Sequence, residues 1–474
     1  MRELRLALRD RTLIGIPVDK MIGPEVMLPD FSGFDKSPLR SRFFVLLLIC
    51  WFVFLRAPQR WLKTLMAFRP RGDLSGPGRI AVQAFAEARF SGLWAPVVRL
   101  LGLQKTVLLT SNRGTLPIDW SDYASVNCDD MPFSLLEFFR HTTTAIRTLR
   151  RPLRDAMRGC GLESGSELLM LHELVGWILP LMQIRAALRL TKPSAVLLLY
   201  DQGVWWGGLA LVAEQMGIPS FTFTHGAFGA YSASDFAPLN ARYILAWGDH
   251  QRELLARGGV DEKRILVTGY PRFDSSMVRR RVRDDMAPEP AVKPAILVGF
   301  TTLAQGHRHV WSQSLIELHR LLPEYRLVCR LHPSTKTRRE QFKELTEHGE
   351  GLTVTESHEM SLNDCISESE AVLVHTSTLA LDALLMGKPL FVYDSYDSGV
   401  MDVSYDMVEQ GAAVYATTAK EMAARIREYL GNNQKREDLI SRGREFTRKS
   451  VSYVGQEAVR RTVRAILERT GSSS

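Results

Sequence analysis

Residues 195–226 read AVLLLYDQGVWWGGLALVAEQMGIPSFTFTHG. Ala195–Tyr200 is an unbroken apolar run, the pattern of a strand whose two faces are both covered in a parallel sheet. Asp201-Gln202-Gly203 turns the chain, Val204–Met216 carries a helical pattern closed by Gly217, and Ser220–Thr224 is a second strand with His225-Gly226 just past its end. Strand, helix and strand in so short a span make a βαβ unit, and parallel strands need such crossover helices. Further strands are expected on both sides, at Arg79–Phe85 and Thr106–Thr110 before the unit and at Tyr243–Trp247 and Ile265–Thr268 after it.

Residues 275–293 break this rhythm with Arg279-Arg280-Arg281, Arg283, two aspartates, Pro288 and Pro290, a composition that suits a linker. A second alternation follows, with strands expected at Ala295–Gly299, Arg326–Arg330, Leu352–Val354, Ala371–Val374, Leu390–Tyr393 and Ala413–Tyr415. The fold class is therefore α/β, with two doubly wound Rossmann-like domains facing a cleft. The expected boundaries are an accessory segment at 1–75, a first domain at 76–275, a second at 294–430, and C-terminal helices at 431–474 that pack back. Residues 133–158 read as a long basic helix, and no internal repeat is present.

The 474 residues are too many for one typical core, and 45% apolar against 24% charged is a foldable balance rather than a disordered one. A formal charge of +8 suits anionic partners, among them nucleotide phosphates, acidic polymers and anionic lipid. Nucleic acid is not expected, because no aromatic-basic recognition motif occurs. Five scattered cysteines, odd in number and without CxxC spacing, argue against a disulfide framework and a zinc site and for a reducing compartment. The charged first fifteen residues are not those of a secretory signal. Phe43–Leu55 reads FFVLLLICWFVFL between basic flanks. It is too short for a clean span, so a buried core helix and a helix lying on an inner-leaflet surface are the two readings, evenly weighted.

Ligands of open parallel sheets bind beyond the carboxyl ends of the strands, and four stretches there carry polar chemistry. Thr224-His225-Gly226 offers a general base with a glycine that allows close approach. Arg330-Leu331-His332-Pro333 aims His332 at the cleft as a donor to phosphate oxygen. His375-Thr376-Ser377-Thr378 opens a helix, where hydroxyls and backbone N–H groups cap it or hold an anion. Asp382 lies one turn on, within reach of a ribose hydroxyl. The loop Gly299-Phe300-Thr301-Thr302 is a weaker candidate for the donor, through Thr301 and Thr302. His307 and His309 have no acidic partners in sequence, so no metal is expected.

Taken in order, FTHGAFGAY (Phe223–Tyr231), RLHP (Arg330–Pro333) and HTSTLALDALLMGKPLFVYD (His375–Asp394) resemble the CDP-glycerol glycerophosphotransferases and the bacterial Kdo- and sialyl-type capsule-polysaccharide transferases. Trp247-Gly248 and Ile265–Asp274 also look like the end of the first domain in these families. The resemblance covers residues 195–395 and implies a GT-B fold. It departs in two places: no acidic pair precedes a glycine as in sialyltransferases, and His375-Thr-Ser-Thr stands where glycerophosphotransferases often have Asp-Tyr-Ser-Ser.

The resemblance implies a transferase that moves a sugar from a CMP-, CDP- or UDP-linked donor to a cell-surface glycan or lipid-linked acceptor, without cofactor or metal and with inversion. His332, Thr376, Ser377 and Thr378 would hold the leaving phosphate and Asp382 the ribose. His225 is the first choice of base, Asp201 and Asp235 the second. A CDP-glycerol-type polyol-phosphate transferase, a UDP-sugar 2-epimerase-like enzyme and a non-catalytic polysaccharide assembly protein are the rival readings. The expected location is cytoplasmic, at the inner face of the plasma membrane.

Overall fold

The computed structural model describes residues 11–17, 49–50, 52–68, 70, 72, 74, 78–84, 88–111, 120–159, 166–202, 207–224, 226–230, 232–272, 293–300, 305–332, 339–347, 351–356, 358–395 and 402–470. Two parallel sheets organise it. The first holds β1 (Ile80–Gln83), β2 (Thr106–Thr110), β3 (Ser125–Asn127), β4 (Ala195–Leu198), β5 (Ser220–Phe223), β6 (Tyr243–Ala246) and β7 (Ile265–Val267), in the order β3-β2-β1-β4-β5-β6-β7. The second holds β8 (Ala295–Gly299), β9 (Arg326–Arg330), β10 (Leu352–Thr355), β11 (Ser369–Val374), β12 (Leu390–Tyr393) and β13 (Val414–Ala416), in the order β10-β9-β8-β11-β12-β13. In each, the winding reverses beside the first strand, so a crevice opens at the carboxyl ends of β1 and β4 and of β8 and β11.

The apolar run at 195–199 becomes β4 because both its faces are covered. Val196 and Leu198 join a core beneath two long helices, whereas Ala195, Leu197 and Leu199 join a core on the opposite face, and all five are fully buried. The helices are α1 (Ala57–Ala67), α2 (Ala88–Leu101), α3 (Leu135–Gly159), α4 (Ser166–Thr191), α5 (Gly208–Gln215), α6 (Asp249–Arg257), α7 (Gln305–Leu321), α8 (Leu362–Ser367), α9 (Leu379–Leu385), α10 (Asp402–Glu409), α11 (Ala419–Leu430), α12 (Asn433–Ser450) and α13 (Gly455–Thr470).

Two elements of the first domain lie outside the sequence reading. β3 is only three residues long, too short for a period to show. α4 is apolar nearly all round because it is sandwiched between α3 and α5, with Leu171, Leu174, Val175, Ile178, Leu179 and Leu181 all buried. Its stretch Met170–Thr191 is long and apolar enough to cross a membrane, but most of it is buried inside the protein. Of the run Phe43–Leu55, the described part is split: Ile49 and Val53 are buried, whereas Phe54 and Leu55 are 65% and 55% exposed. The linker falls outside the described residues except for Lys293.

The two sheets share one continuous apolar core. Trp247 and Tyr270 from the ends of β6 and β7 pack in the same cluster as Leu381 of α9, Met407 of α10 and Phe446 of α12. After α12 the chain crosses back: Ser452 N donates to Trp247 O (2.9 Å), Tyr270 N to Tyr453 O (2.7 Å) and Gly455 N to Tyr270 O (3.1 Å), and α13 packs on α2. Gly269 permits this strap. Its φ is +96°, and a Cβ there would sit 2.4 Å from Tyr453 O.

Candidate functional site

The carboxyl rims of the two sheets meet at one point. Past β5, the backbone N–H of Ala227 donates to Thr378 Oγ1 at 3.1 Å, across the seam between the domains. Gly226 eases that approach, since a Cβ on it would lie 3.0 Å from the same oxygen. Thr378 is available for the contact because Ser377 does the capping: its Oγ accepts from Leu379 N at 3.3 Å, whereas Thr378 makes no side-chain cap. Gly226-Ala227 and Thr378, about 150 residues apart, are thereby brought into contact.

Beneath the HTST loop, His375 is a brace rather than a ligand-facing group. It is 4% exposed, with Nε2 3.1 Å from Asp394 Oδ1 just past β12, and its carbonyl accepts from Ser404 Oγ at 3.0 Å. Lys388 of the GKP stretch is also structural: it is buried and donates to the carbonyls of Ser367 (2.7 Å) and Ser369, tying α8 to β11. Arg330 of RLHP turns inward to Met360 O at 2.7 Å. His332, two residues past β9, is half-buried on the same carboxyl rim, since β9, β8 and β11 are neighbours.

On the first-domain side, a cavity of about 230 Å³ is lined by Tyr200, Gly226, Ala227, Phe228, Ser232, Asp235 and Phe236. Asp235 sits exposed in the turn Ser232–Phe236, so its carboxylate is the described base candidate with access to this cavity. His225, Thr301 and Thr302 lie outside the described residues.

The other two carboxylates are enclosed. Asp201 is 0% exposed; its Oδ2 accepts from the backbone N–H groups of Asn240 (2.6 Å) and Ala241 (3.0 Å), and its Oδ1 from Gln202 Nε2 (3.4 Å). Burial pushes its carboxyl up to about 6, outweighing the two backbone donors that pull it down. Asp201 thus anchors the loop before β6. Asp382, expected at a ribose hydroxyl, is 4% exposed and accepts at Oδ1 from Tyr270 OH at 3.0 Å. Burial raises its carboxyl above the usual range, and nearby Arg272 opposes the rise. The geometry thus places Asp382 in the domain seam, held by the Gly269-Tyr270-Pro271-Arg272 segment. A second seam pair, His250 Nε2 to Asp406 Oδ2 at 3.0 Å, was not foreseen either.

Among the described residues no cluster of three His, Cys, Asp or Glu side chains could hold a metal ion, and His309 pairs with Glu344 at 3.0 Å. Cys128, Cys329 and Cys365 are buried, and burial pushes the thiols of all three up. They behave as small hydrophobes.

The model of the CDP-Glycerol:Poly(glycerophosphate) glycerophosphotransferase family matches residues 232–468. That span begins just past the His225-Gly226 loop and holds the strap segment, RLHP and the whole second domain. No curated protein matches. Among solved structures, the S. aureus MnaA–UDP complex is 15% identical with a TM-score of 0.50, covering 83% of this chain and 98% of its own. A protein described as a UDP-N-acetylglucosamine 2-epimerase from Listeria monocytogenes is 13% identical with a TM-score of 0.51, covering 84% and 98%. At such identities these likenesses establish the fold, two facing Rossmann-like domains of the GT-B kind.

Proposed function

From the premise that the chain belongs to the CDP-glycerol:poly(glycerophosphate) glycerophosphotransferase family, we propose that this transferase moves glycerol phosphate, or a related polyol phosphate, from a nucleotide-activated donor onto a growing cell-surface polymer. The observation that carries the reading is the contact of Ala227 N with Thr378 Oγ1, which joins the acceptor-side cavity to the donor-side rim. The donor's phosphates would lie along the rim of the second sheet, between His332 and Thr376–Thr378. An acceptor hydroxyl in the cavity beside Asp235 would attack the glycerol-bearing phosphorus. The bond from that phosphorus to the bridging oxygen breaks, the nucleoside monophosphate leaves, and the acceptor proton passes to His225 or Asp235. The growing charge on the leaving phosphate would be met by the hydroxyls, by backbone N–H groups and by His332, without a metal in this reading. The UDP bound to MnaA supports a nucleotide in the same cleft. The four described cysteines are free thiols, which supports a cytoplasmic location.

A second reading, inverting transfer of a sugar, is favoured by one observation. The third motif opens with His375, which is turned into the core toward Asp394, where glycerophosphotransferases often carry Asp-Tyr-Ser-Ser. One experiment addresses both readings: thermal shift against CMP, CDP, UDP, GDP, their sugars and CDP-glycerol. A ligand at one hundred times its Kd stabilises by about 2.7 kcal/mol, so one nucleotide should stand out. His332→Ala should reduce that shift and slow polymer synthesis by about tenfold or more. No shift from any nucleotide, or unchanged synthesis by His332→Ala, overturns the assignment.

A further inference from the structure

Gln251 is an amide in an apolar place. It is the third residue of α6 and 4% exposed, and it lines a cavity of about 20 Å³ in the domain seam whose walls include Phe228, Trp247, Leu381, Met407 and Phe446. A buried amide costs stability unless its oxygen and nitrogen are bonded. Trp247 N donates to Oε1 at 2.9 Å, and because a backbone N–H can only donate, that contact fixes which way round the amide lies. Thr224 Oγ1 donates to the same oxygen at 3.1 Å, and Nε2 donates to Gly226 O at 3.4 Å. Thr224 and Gly226 are the chain neighbours of His225. One side chain therefore grips the chain before and after that residue, next to the Ala227 N–H that meets Thr378.

The turn that carries Gln251 is itself held by the second domain and α12. His250 Nε2 lies 3.0 Å from Asp406 Oδ2 of α10, and its ring meets that of Phe446 of α12 edge-on, with centroids 5.7 Å apart. Gly248, the residue before α6, has no side chain to keep α12 away: a Cβ there would collide with Ser450 O. The first turn of α6 thus links α10 and α12 on one side to the end of β5 on the other. A bond that served folding alone could end at Thr224, which follows β5 directly. The bond to Gly226 reaches further, into the loop whose next N–H crosses the seam.

We infer that Gln251 is a positioning residue for transfer. Through Thr224 and Gly226 it sets the backbone that presents Ala227 N to Thr378, and the first turn of α6 passes the placement of the second domain to that backbone. The inference rests on the transferase reading of the site, and it gives Gln251 no contact with either substrate. Displacing a reacting group by about 1 Å can slow a reaction about a hundredfold, so a clamp on this loop should be read in kcat. The donor, held along the rim of the second sheet, should bind as before.

The test is steady-state transfer from CDP-glycerol to a short lipid-linked glycerol phosphate primer by the full chain, with melting curves to confirm that each variant is folded at the assay temperature. Gln251→Leu removes all three bonds and should lower kcat by about tenfold or more, with the KM for CDP-glycerol within about threefold of the wild type. Gln251→Glu keeps the oxygen for Trp247 N and Thr224 Oγ1 and loses the donor to Gly226 O. Its kcat should fall between the other two, and it decides the matter if Gln251→Leu does not fold. Joined to Thr378→Val, Gln251→Leu should lower kcat by less than the product of the two single losses, since both act on one contact. An unchanged kcat in both Gln251 variants, a raised KM at unchanged kcat, or losses that multiply overturns the inference. A wild-type protein that transfers nothing from CDP-glycerol faults the transferase reading, and the inference falls with it; an active wild type with indifferent Gln251 variants faults the inference alone.

Discussion

Asp201 offers the most quantitative test of the geometry. The sequence makes it a candidate base, whereas the structure encloses it beneath two backbone donors. Its proton affinity is higher in the folded state, with the carboxyl at about 6 against 3.8 for an ordinary aspartate. The folded chain thus binds more protons than the unfolded chain between those values. Stability must fall as pH rises through that window and level off above about 6, and the rise from 3.8 to about 6 corresponds to about 3 kcal/mol. Asp201→Asn keeps an oxygen acceptor for Asn240 and Ala241 but carries no charge. Its stability relative to the wild type should climb by about 2 kcal/mol from pH 4 to pH 7, a difference in which the other titrating groups cancel. Asp201→Ala instead orphans two buried N–H groups, at about 1–3 kcal/mol each, and should melt well below both. Urea melts of the three proteins across this pH range provide the measurement, with polymer synthesis assayed in parallel. A gap between Asn and Asp that does not change with pH would refute the loop-anchor reasoning. So would an Asp201→Asn protein that is stable but has lost turnover, which would restore the carboxylate as the base.

Two further outcomes follow from the seam. Tyr270→Phe removes the hydroxyl that donates to buried Asp382 and should destabilise the chain by about 1–3 kcal/mol, read by calorimetry; an unchanged melt would mean that Asp382 does not depend on the strap. Thr378→Val keeps the side-chain shape but removes the acceptor for Ala227 N. It should slow transfer by about fivefold for a loss near 1 kcal/mol, while Thr378→Ser, which keeps the oxygen, should restore activity; equal rates for Val and Ser would show that the contact does not organise the site.

Much of the scaffold was legible because parallel strands announce themselves. The runs at 195–198, 295–299 and 390–393 are apolar on both faces, and strand propensity and burial agree there. α4 was not legible for the complementary reason: a helix buried on nearly all sides loses the stripe that would reveal it. At the site, chain order alone brought HG, RLHP and HTST to strand ends, where a polar residue is free to meet a ligand.

Local sequence could not decide which of those polar side chains face outward. Asp201 and Asp235 look alike in the chain, yet one is sealed by the backbone of residues 240–241 and the other opens on a cavity. His332 and His375 both follow strands, yet His375 is turned into the core toward Asp394. Asp382 faces Tyr270 from a domain more than a hundred residues earlier. The sequence by itself determined two doubly wound sheets and the strand ends at which chemistry can occur, because period and burial are properties of short segments. Only the tertiary structure decided which groups are anchors and which are exposed to a ligand, because that depends on partners supplied by distant parts of the chain.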